Sequence, residues 1–171
     1  MRRVVVTGLG LVTPLGVGIE HNWRRLIGGE SGVTAIQSFD TSDLPCKIAG
    51  SVPRGDRADG NFNPDDFVSS KDQRRVDEFI IFGISAAVEA VEDSGWVPES
   101  DTDRERTGVL IGSGIGGLQT IYEGSSLLNE RGPRKIGPFF IPSALINLAS
   151  GQVSIRYGFK GPNHAVVTAC S

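Results

Sequence analysis

The stretch from Val76 to Val91 most constrains the fold. Val76, Phe79, Ile80, Gly83, Ile84, Ala87, Val88 and Val91 recur at three- and four-residue intervals, which predicts a helix running from residue 70 to Ser94-Gly95. Ser70-Lys71-Asp72-Gln73 has the spacing of a capping box at its start. Ile81 and Phe82 fall off the stripe, so the helix must be enclosed on more than one side. A helix covered on two faces belongs in a layered molecule.

The rest of the chain supplies candidate layers. Val4-Val5-Val6-Thr7-Gly8-Leu9-Gly10 is a β-branched run ending in glycines, apolar on both faces, and predicts a strand buried on two sides. From Glu20 to Ile27 a helix is predicted with Trp23, Leu26 and Ile27 on one face, ended by Gly28-Gly29. Residues 31–67 are rich in Ser, Asp, Gly and Pro and predict surface loop with one strand at 47–52. Residues 107–111 predict a second buried strand, and residues 112–117 a glycine-dense turn into a helix carrying Leu118, Ile121, Tyr122, Ser125 and Leu128 on one face. Gly132-Pro133 stops that helix. Residues 139–141 are expected to be extended, Pro142 suits a helix start, residues 144–155 are expected to be helical, and residues 164–169 form the last strand. Strands alternating with helices imply an α/β architecture with largely parallel pairing.

Composition narrows the function. With 171 residues, 39% of them hydrophobic, the chain is long enough for one globular domain with a real core. A net charge of -3 argues against a nucleic-acid binder, whose footprint is a concentrated basic surface. Two cysteines, Cys46 and Cys170, cannot staple a disulfide scaffold; they fit a reducing compartment, hence a cytoplasmic location. The three valines after Met1-Arg2-Arg3 are too few for a signal peptide or a membrane span, so no membrane insertion is expected.

Gly112-Ser113-Gly114-Ile115-Gly116-Gly117 satisfies GxGxxG between a predicted strand and a predicted helix, the context of a dinucleotide site. A second strand ending in a ribose-binding acid should follow about twenty residues later, whereas residues 127–136 contain Asn-Glu-Arg-Gly-Pro-Arg-Lys. Two readings of these glycines stay open: a tight turn approaching another backbone, or the lining of a ligand site.

Cys170 stands at the end of a strand of small residues, where a helix would begin. A thiolate there gains from unpaired N–H groups and the helix dipole, although a cysteine in such a strand also serves as inert packing. His164 lies six strand positions away, about 20 Å at roughly 3.3 Å per residue, and cannot act on that sulfur within one subunit. His21 reads as a surface residue, Cys46 takes no role, and no His/Cys spacing resembles a metal site.

Taken together, these stretches resemble the β-ketoacyl-acyl-carrier-protein synthases, specifically the elongating condensing enzymes of type II fatty-acid synthesis. The likeness runs through Arg3-Val4-Val5-Val6-Thr7-Gly8-Leu9-Gly10, Asp72-Gln73-Arg74-Arg75, residues 112–118, Gly132-Pro133-Arg134-Lys135, Pro138-Phe139-Phe140-Ile141-Pro142-Ser143 and Thr168-Ala169-Cys170-Ser171. It implies a thiolase-type fold, layered α-β-α-β-α, with a mixed five-stranded sheet and flanking helices in each of two halves. Residues 1–171 would be the first half, cut at the nucleophile and inactive alone, with the catalytic histidines, a lysine and a gating phenylalanine in the second.

The resemblance implies chemistry residue by residue. Cys170 would accept an acyl group from acyl carrier protein as a thioester, and its backbone N–H would be one oxyanion donor. Ile115 would line the base of the acyl pocket, and Phe140 would reach in from the partner of a homodimer paired along residues 164–169. Lys71, Arg74, Arg75, Arg134 and Lys135 would dock the acidic carrier protein, although charge clusters are most often solvated faces. No cofactor, no metal and no nucleic acid is implied. The alternatives are a polyketide ketosynthase, a thiolase-fold acyltransferase using acyl-CoA, and a non-catalytic partner subunit, which the presence of Cys170 speaks against.

Overall fold

The first segment has its hydrogen bonds answered by a helix. In the computed structural model, which describes residues 3–168, the Leu9 N–H donates to Asp93 Oδ2 (2.9 Å) and the Leu11 N–H to Glu89 Oε2 (3.2 Å). Both carboxylates project from α3, Glu78–Ser94. The expected strand at residues 4–10 is not paired; Val4 and Val6 are 92% and 79% exposed. A β-branched run signals a strand, but pairing needs a neighbour; no described strand pairs with this run, and at its end the acids of α3 take the Leu9 and Leu11 N–H groups.

The chain divides into two compact units, Met1–Asn63 with Val88–Gly95, and Pro64–Ala87 with Trp96–Ser171. In the first, β1 (Val12–Thr13) and β2 (Gly16–Val17) form an antiparallel hairpin, followed by α1 (Ile19–Ile27). Asn22 of α1 is buried and ties the hairpin together: its Nδ2 donates to the carbonyls of Gly16 (3.1 Å) and Gly18 (2.8 Å), and its Oδ1 accepts from the Thr13 hydroxyl. His21, expected on the surface, is half-buried beside Gly16 and Gly60, whose positive φ angles bring bare backbone against its ring. The expected strand at 47–52 shortens to β4 (Ile48–Ala49), antiparallel to β3 (Thr34–Ala35).

The second unit holds most of the apolar core: Phe67, Val68, Ile80, Ile81, Ile84, Val109, Ala149, Val153 and Phe159 are buried. The helix read as continuous from residue 70 is two. α2 (Ser70–Gln73) is capped by Ser69, one residue earlier than predicted, its Oγ accepting the Asp72 N–H at 3.2 Å. α3 starts afresh at Glu78 because Asp77 leaves the helical path to cap it. Within α3, a Cβ on Gly83 would lie 3.6 Å from the Ala149 Cβ, so α3 packs against the segment bearing Ala149 at ordinary contact distance. α4 (Asp101–Arg106), unforeseen, opens with a full capping box between Ser100 and Asp103.

β5 (Val109–Leu110) and β6 (Asn163–His164) pair in parallel, the only parallel strand pair among the described residues. β6 is shorter than the predicted 164–169, and residue 169 lies outside the described residues. Asn163 fastens β6 to α7 (Asn147–Tyr157) by donating to the Ser150 carbonyl (3.0 Å) and to Ser154 Oγ (2.8 Å). α5 spans Leu118–Arg131, and α6 spans Phe140–Ala144. Residues expected to be extended at 139–141 are therefore mostly helical: Pro142 falls within the first turn, where a missing N–H costs nothing, so the helix begins before it. Paired strands in the described residues form three two-stranded sheets, and no described helix is long and apolar enough to cross a membrane.

Candidate functional site

Residues 112–117 run from the end of β5 into α5. Their shape is held at three points. The Gly116 N–H donates to Ser113 Oγ (3.1 Å) with φ at +83°, and the Gly117 N–H donates to the Ala144 carbonyl (3.0 Å). A Cβ on Gly117 would lie 2.8 Å from Ala144 Cα and 2.9 Å from the Ser143 carbonyl oxygen. Close approach to a second backbone, the end of α6, is thus why glycine is required here. No strand directly follows α5: the chain enters a short 3₁₀ turn, Pro133–Lys135, and then two helices before β6, which is not the order a dinucleotide-binding unit requires.

The third point is Asp77, which sequence reasoning missed. Gly117 stands at the head of α5 with no capping side chain. The carboxylate of Asp77 takes that role from elsewhere in the chain: Oδ2 accepts the Thr120 N–H at 2.9 Å and the Thr120 hydroxyl at 2.7 Å. Oδ1 takes a longer contact, 3.4 Å, from the Phe79 N–H at the start of α3. One carboxylate therefore caps two helices, at the positive end of both dipoles. Asp77-Glu78 directly before an apolar run is an N-terminal signature that would have revealed the break. Beside it opens a cavity of about 600 Å³, lined by Phe79, Phe82, Leu118 and Tyr122.

Ile115 projects from the turn and is 66% exposed. Phe140 sits half-buried on α6, with its ring where a Cβ on Gly124 of α5 would have to go. Both residues thus hang on elements joined at Gly116 and Gly117.

Lys71 and Arg74 are exposed, as are Arg134 and Lys135 on the 3₁₀ turn. Arg75 is half-buried: its guanidinium lies 4.9 Å from the Phe139 ring centroid and 3.7 Å from Asp72 Oδ1. That stacking sets the first basic cluster against Phe139, four positions beyond Lys135 in the chain.

Cys170 lies outside the described residues. The chain leading toward it is placed through Thr168: parallel pairing sets Leu110 opposite His164, and a Cβ on Gly112 would lie 3.2 Å from the Val166 carbonyl oxygen. This approach therefore runs beside the entrance to the glycine turn. His164 is exposed. Cys46 is exposed too, its Sγ donating to the Ile48 carbonyl at 3.4 Å.

A family model described as Beta-ketoacyl synthase, N-terminal domain, matches residues 1–171. The chain belongs to the β-ketoacyl synthase family. This synthase chain is 56% identical over 171 residues to 3-oxoacyl-[acyl-carrier-protein] synthase 2 of Rhizobium meliloti (strain 1021), covering 100% of the chain and 41% of that relative. It is 47% identical over 184 residues to the mitochondrial 3-oxoacyl-[acyl-carrier-protein] synthase of Arabidopsis thaliana, covering 99% of the chain and 39% of that relative. The chain spans about two fifths of the length of these curated relatives. Among solved structures, the ishigamide ketosynthase/chain length factor superposes with a TM-score of 0.81 at 25% identity, covering 99% of the chain and 41% of its own. A type II polyketide ketosynthase solved in complex with its acyl-carrier protein gives 0.66 at 23% identity, with 95% and 40% covered. The described helices and strand pairs of the synthase chain thus follow the thiolase-type ketosynthase fold.

Proposed function

We propose that this chain is the nucleophile-bearing part of a 3-oxoacyl-[acyl-carrier-protein] synthase. The carrying observation is 56% identity to such a synthase across all 171 residues, through Thr168-Ala169-Cys170-Ser171. In the first step the Cys170 thiolate attacks the thioester carbon of an acyl carrier protein; the carrier thiolate leaves and takes a proton, and the acyl group stays on sulfur. In the second, malonyl carrier protein loses CO2, and the electron pair of the broken bond attacks the acyl-cysteine carbon. The cysteine sulfur leaves, and a 3-oxoacyl chain longer by two carbons remains on the carrier. The Cys170 N–H stabilises the oxyanion in both steps.

Ile115 and Phe140 form part of the acyl pocket in this reading, with Phe140 serving the site across a homodimer interface formed along residues 164–169. A mixed five-stranded sheet completes that arrangement. Lys71, Arg74, Arg75, Arg134 and Lys135 receive the acidic carrier protein, and the enzyme works in the cytoplasm. Support for docking comes from the exposure of four of these residues and from the Arg75–Phe139 stacking that draws their two segments together.

In the full-length synthase, Cys170→Ala should abolish transfer of a radiolabelled acyl group from carrier to enzyme, and elongation with it. Normal elongation by the variant refutes the proposal. A polyketide ketosynthase is the second reading, favoured by the TM-score of 0.81 to the ishigamide enzyme. Products from repeated condensation without intervening reduction would select it; a single two-carbon extension selects the fatty-acid enzyme.

A further inference from the structure

We propose that Asp77 is a positioning residue for acyl-chain selection, acting through the glycine turn that carries Ile115; this rests on the reading of Ile115 as a pocket residue. Asp77 is 9% exposed and faces the glycine turn: its Oδ2 would lie 3.0 Å from a Cβ at Gly117. That oxygen binds Thr120 twice, at 2.9 and 2.7 Å, in the first turn of α5. The same turn is also held by the Ala144 carbonyl, which accepts the Gly117 N–H at 3.0 Å at the end of the helix that carries Phe140.

Ile115 itself is exposed, so its own contacts do little to fix it. Its position is inherited from Gly116 and Gly117, and theirs from the Ser113 hydroxyl, the Ala144 carbonyl and the α5 turn that the Asp77 carboxylate caps. Backbone contacts with Ala144 survive any side-chain change. Of the two side-chain contacts, that of Ser113 lies within the turn itself, whereas that of Asp77 ties the start of α5 to α3, and a substitution at Asp77 removes this tie. Without it, the first turn of α5 loses both its cap and its link to α3, and the turn can shift relative to α6 by more than a pocket sized to a methylene tolerates.

The test uses full-length synthase and acyl carrier proteins loaded with chains of graded length. Asp77→Ala should change the ratio of kcat/KM between the preferred chain and one four carbons longer by about three- to tenfold, the scale of a lost cap acting on substrate discrimination. Decarboxylation of malonyl carrier protein without an acyl acceptor should change less than about twofold, because that step does not read chain length. Asp77→Asn keeps an oxygen toward Thr120 and should restore most of the profile. If Asp77→Ala fails to fold, Thr120→Val, which removes only the hydroxyl donor, should move the ratio in the same direction by less. An unchanged ratio in whichever of these variants folds overturns the inference. Ile115→Ala separates the two levels: if it leaves the length profile unchanged, the pocket reading fails and the positioning role with it. If it shifts the profile and Asp77→Ala does not, only the positioning role fails.

Discussion

Asp77 and Thr120 stand 43 positions apart in the chain, yet one carboxylate oxygen of Asp77 receives both the backbone N–H and the hydroxyl of Thr120, at 2.9 and 2.7 Å. The relationship replaces an N-cap that Gly117 cannot supply. Because the carboxylate is buried and serves α3 as well, Asp77→Ala should lower unfolding free energy by about 2–4 kcal/mol, above the roughly 1 kcal/mol of a single exposed cap. Urea unfolding of the full-length protein measures it. A loss below about 0.5 kcal/mol would show that water caps α5 equally well.

Two glycines in the same turn should respond in opposite ways to alanine. Gly117 has Ala144 Cα 2.8 Å from its virtual Cβ, whereas a Cβ on Gly114 meets nothing within 4 Å. Gly117→Ala is expected to cost about 1–3 kcal/mol through forced backbone movement, and Gly114→Ala to be neutral or stabilising by up to about 1 kcal/mol. Thermal unfolding of the two variants side by side checks the contrast, and equal shifts would contradict it.

Acid should loosen α4 in two distinguishable ways. The Asp101 carboxyl is held below its ordinary value by a hydrogen bond and charge from Lys160, and that of Asp103 by hydrogen bonds from Ser100. A depressed folded-state value means that the stabilisation is present above the unfolded carboxylate value and is lost as pH falls through the folded one. Carbon-13 titration of the side-chain carboxyls should show both midpoints low. Lys160→Ala should bring Asp101 up toward the ordinary value and leave Asp103 depressed, since the causes differ. A common shift of the two would mean that one field governs both.

Charge reversal at the basic segments should affect association with the carrier protein and not the chemistry that follows. Lys71→Glu with Arg134→Glu is expected to lower kcat/KM for acyl carrier protein by about tenfold at low salt, with the deficit shrinking as ionic strength rises. Both residues are exposed, so folding should be unaffected. Stopped-flow association across a salt series reads the effect. A deficit independent of salt would place the damage elsewhere.

The long apolar stripe of α3 and the turn at residues 112–117 were legible because periodicity and glycine spacing are local signals. The break at residues 74–77 was obscured because the same apolar spacing continues across it, although Asp77-Glu78 marks a helix start; that the same carboxylate also reaches Thr120 carries no local signal. The strand predicted at residues 4–10 is unpaired for a different reason: β-branched residues permit pairing but do not supply a neighbour, and no described strand pairs with this run. His21 was misread because ring packing on Gly16 and Gly60 depends on positive φ angles that composition does not reveal. At the site, Ile115 and Phe140 drew notice through family likeness; their common attachment at Gly116 and Gly117 needed coordinates.

The acidic side chains that hold Leu9 and Leu11 lie 84 and 78 residues further along the chain. During synthesis from the N-terminus, this valine-rich segment therefore leaves the ribosome long before its anchors exist. At about 5–20 residues per second, the Leu9 and Leu11 N–H groups wait several seconds for their acceptors. The order of synthesis thus leaves these two N–H groups to water until Glu89 and Asp93 have emerged, so this end of the segment can be fixed only after α3 has been made.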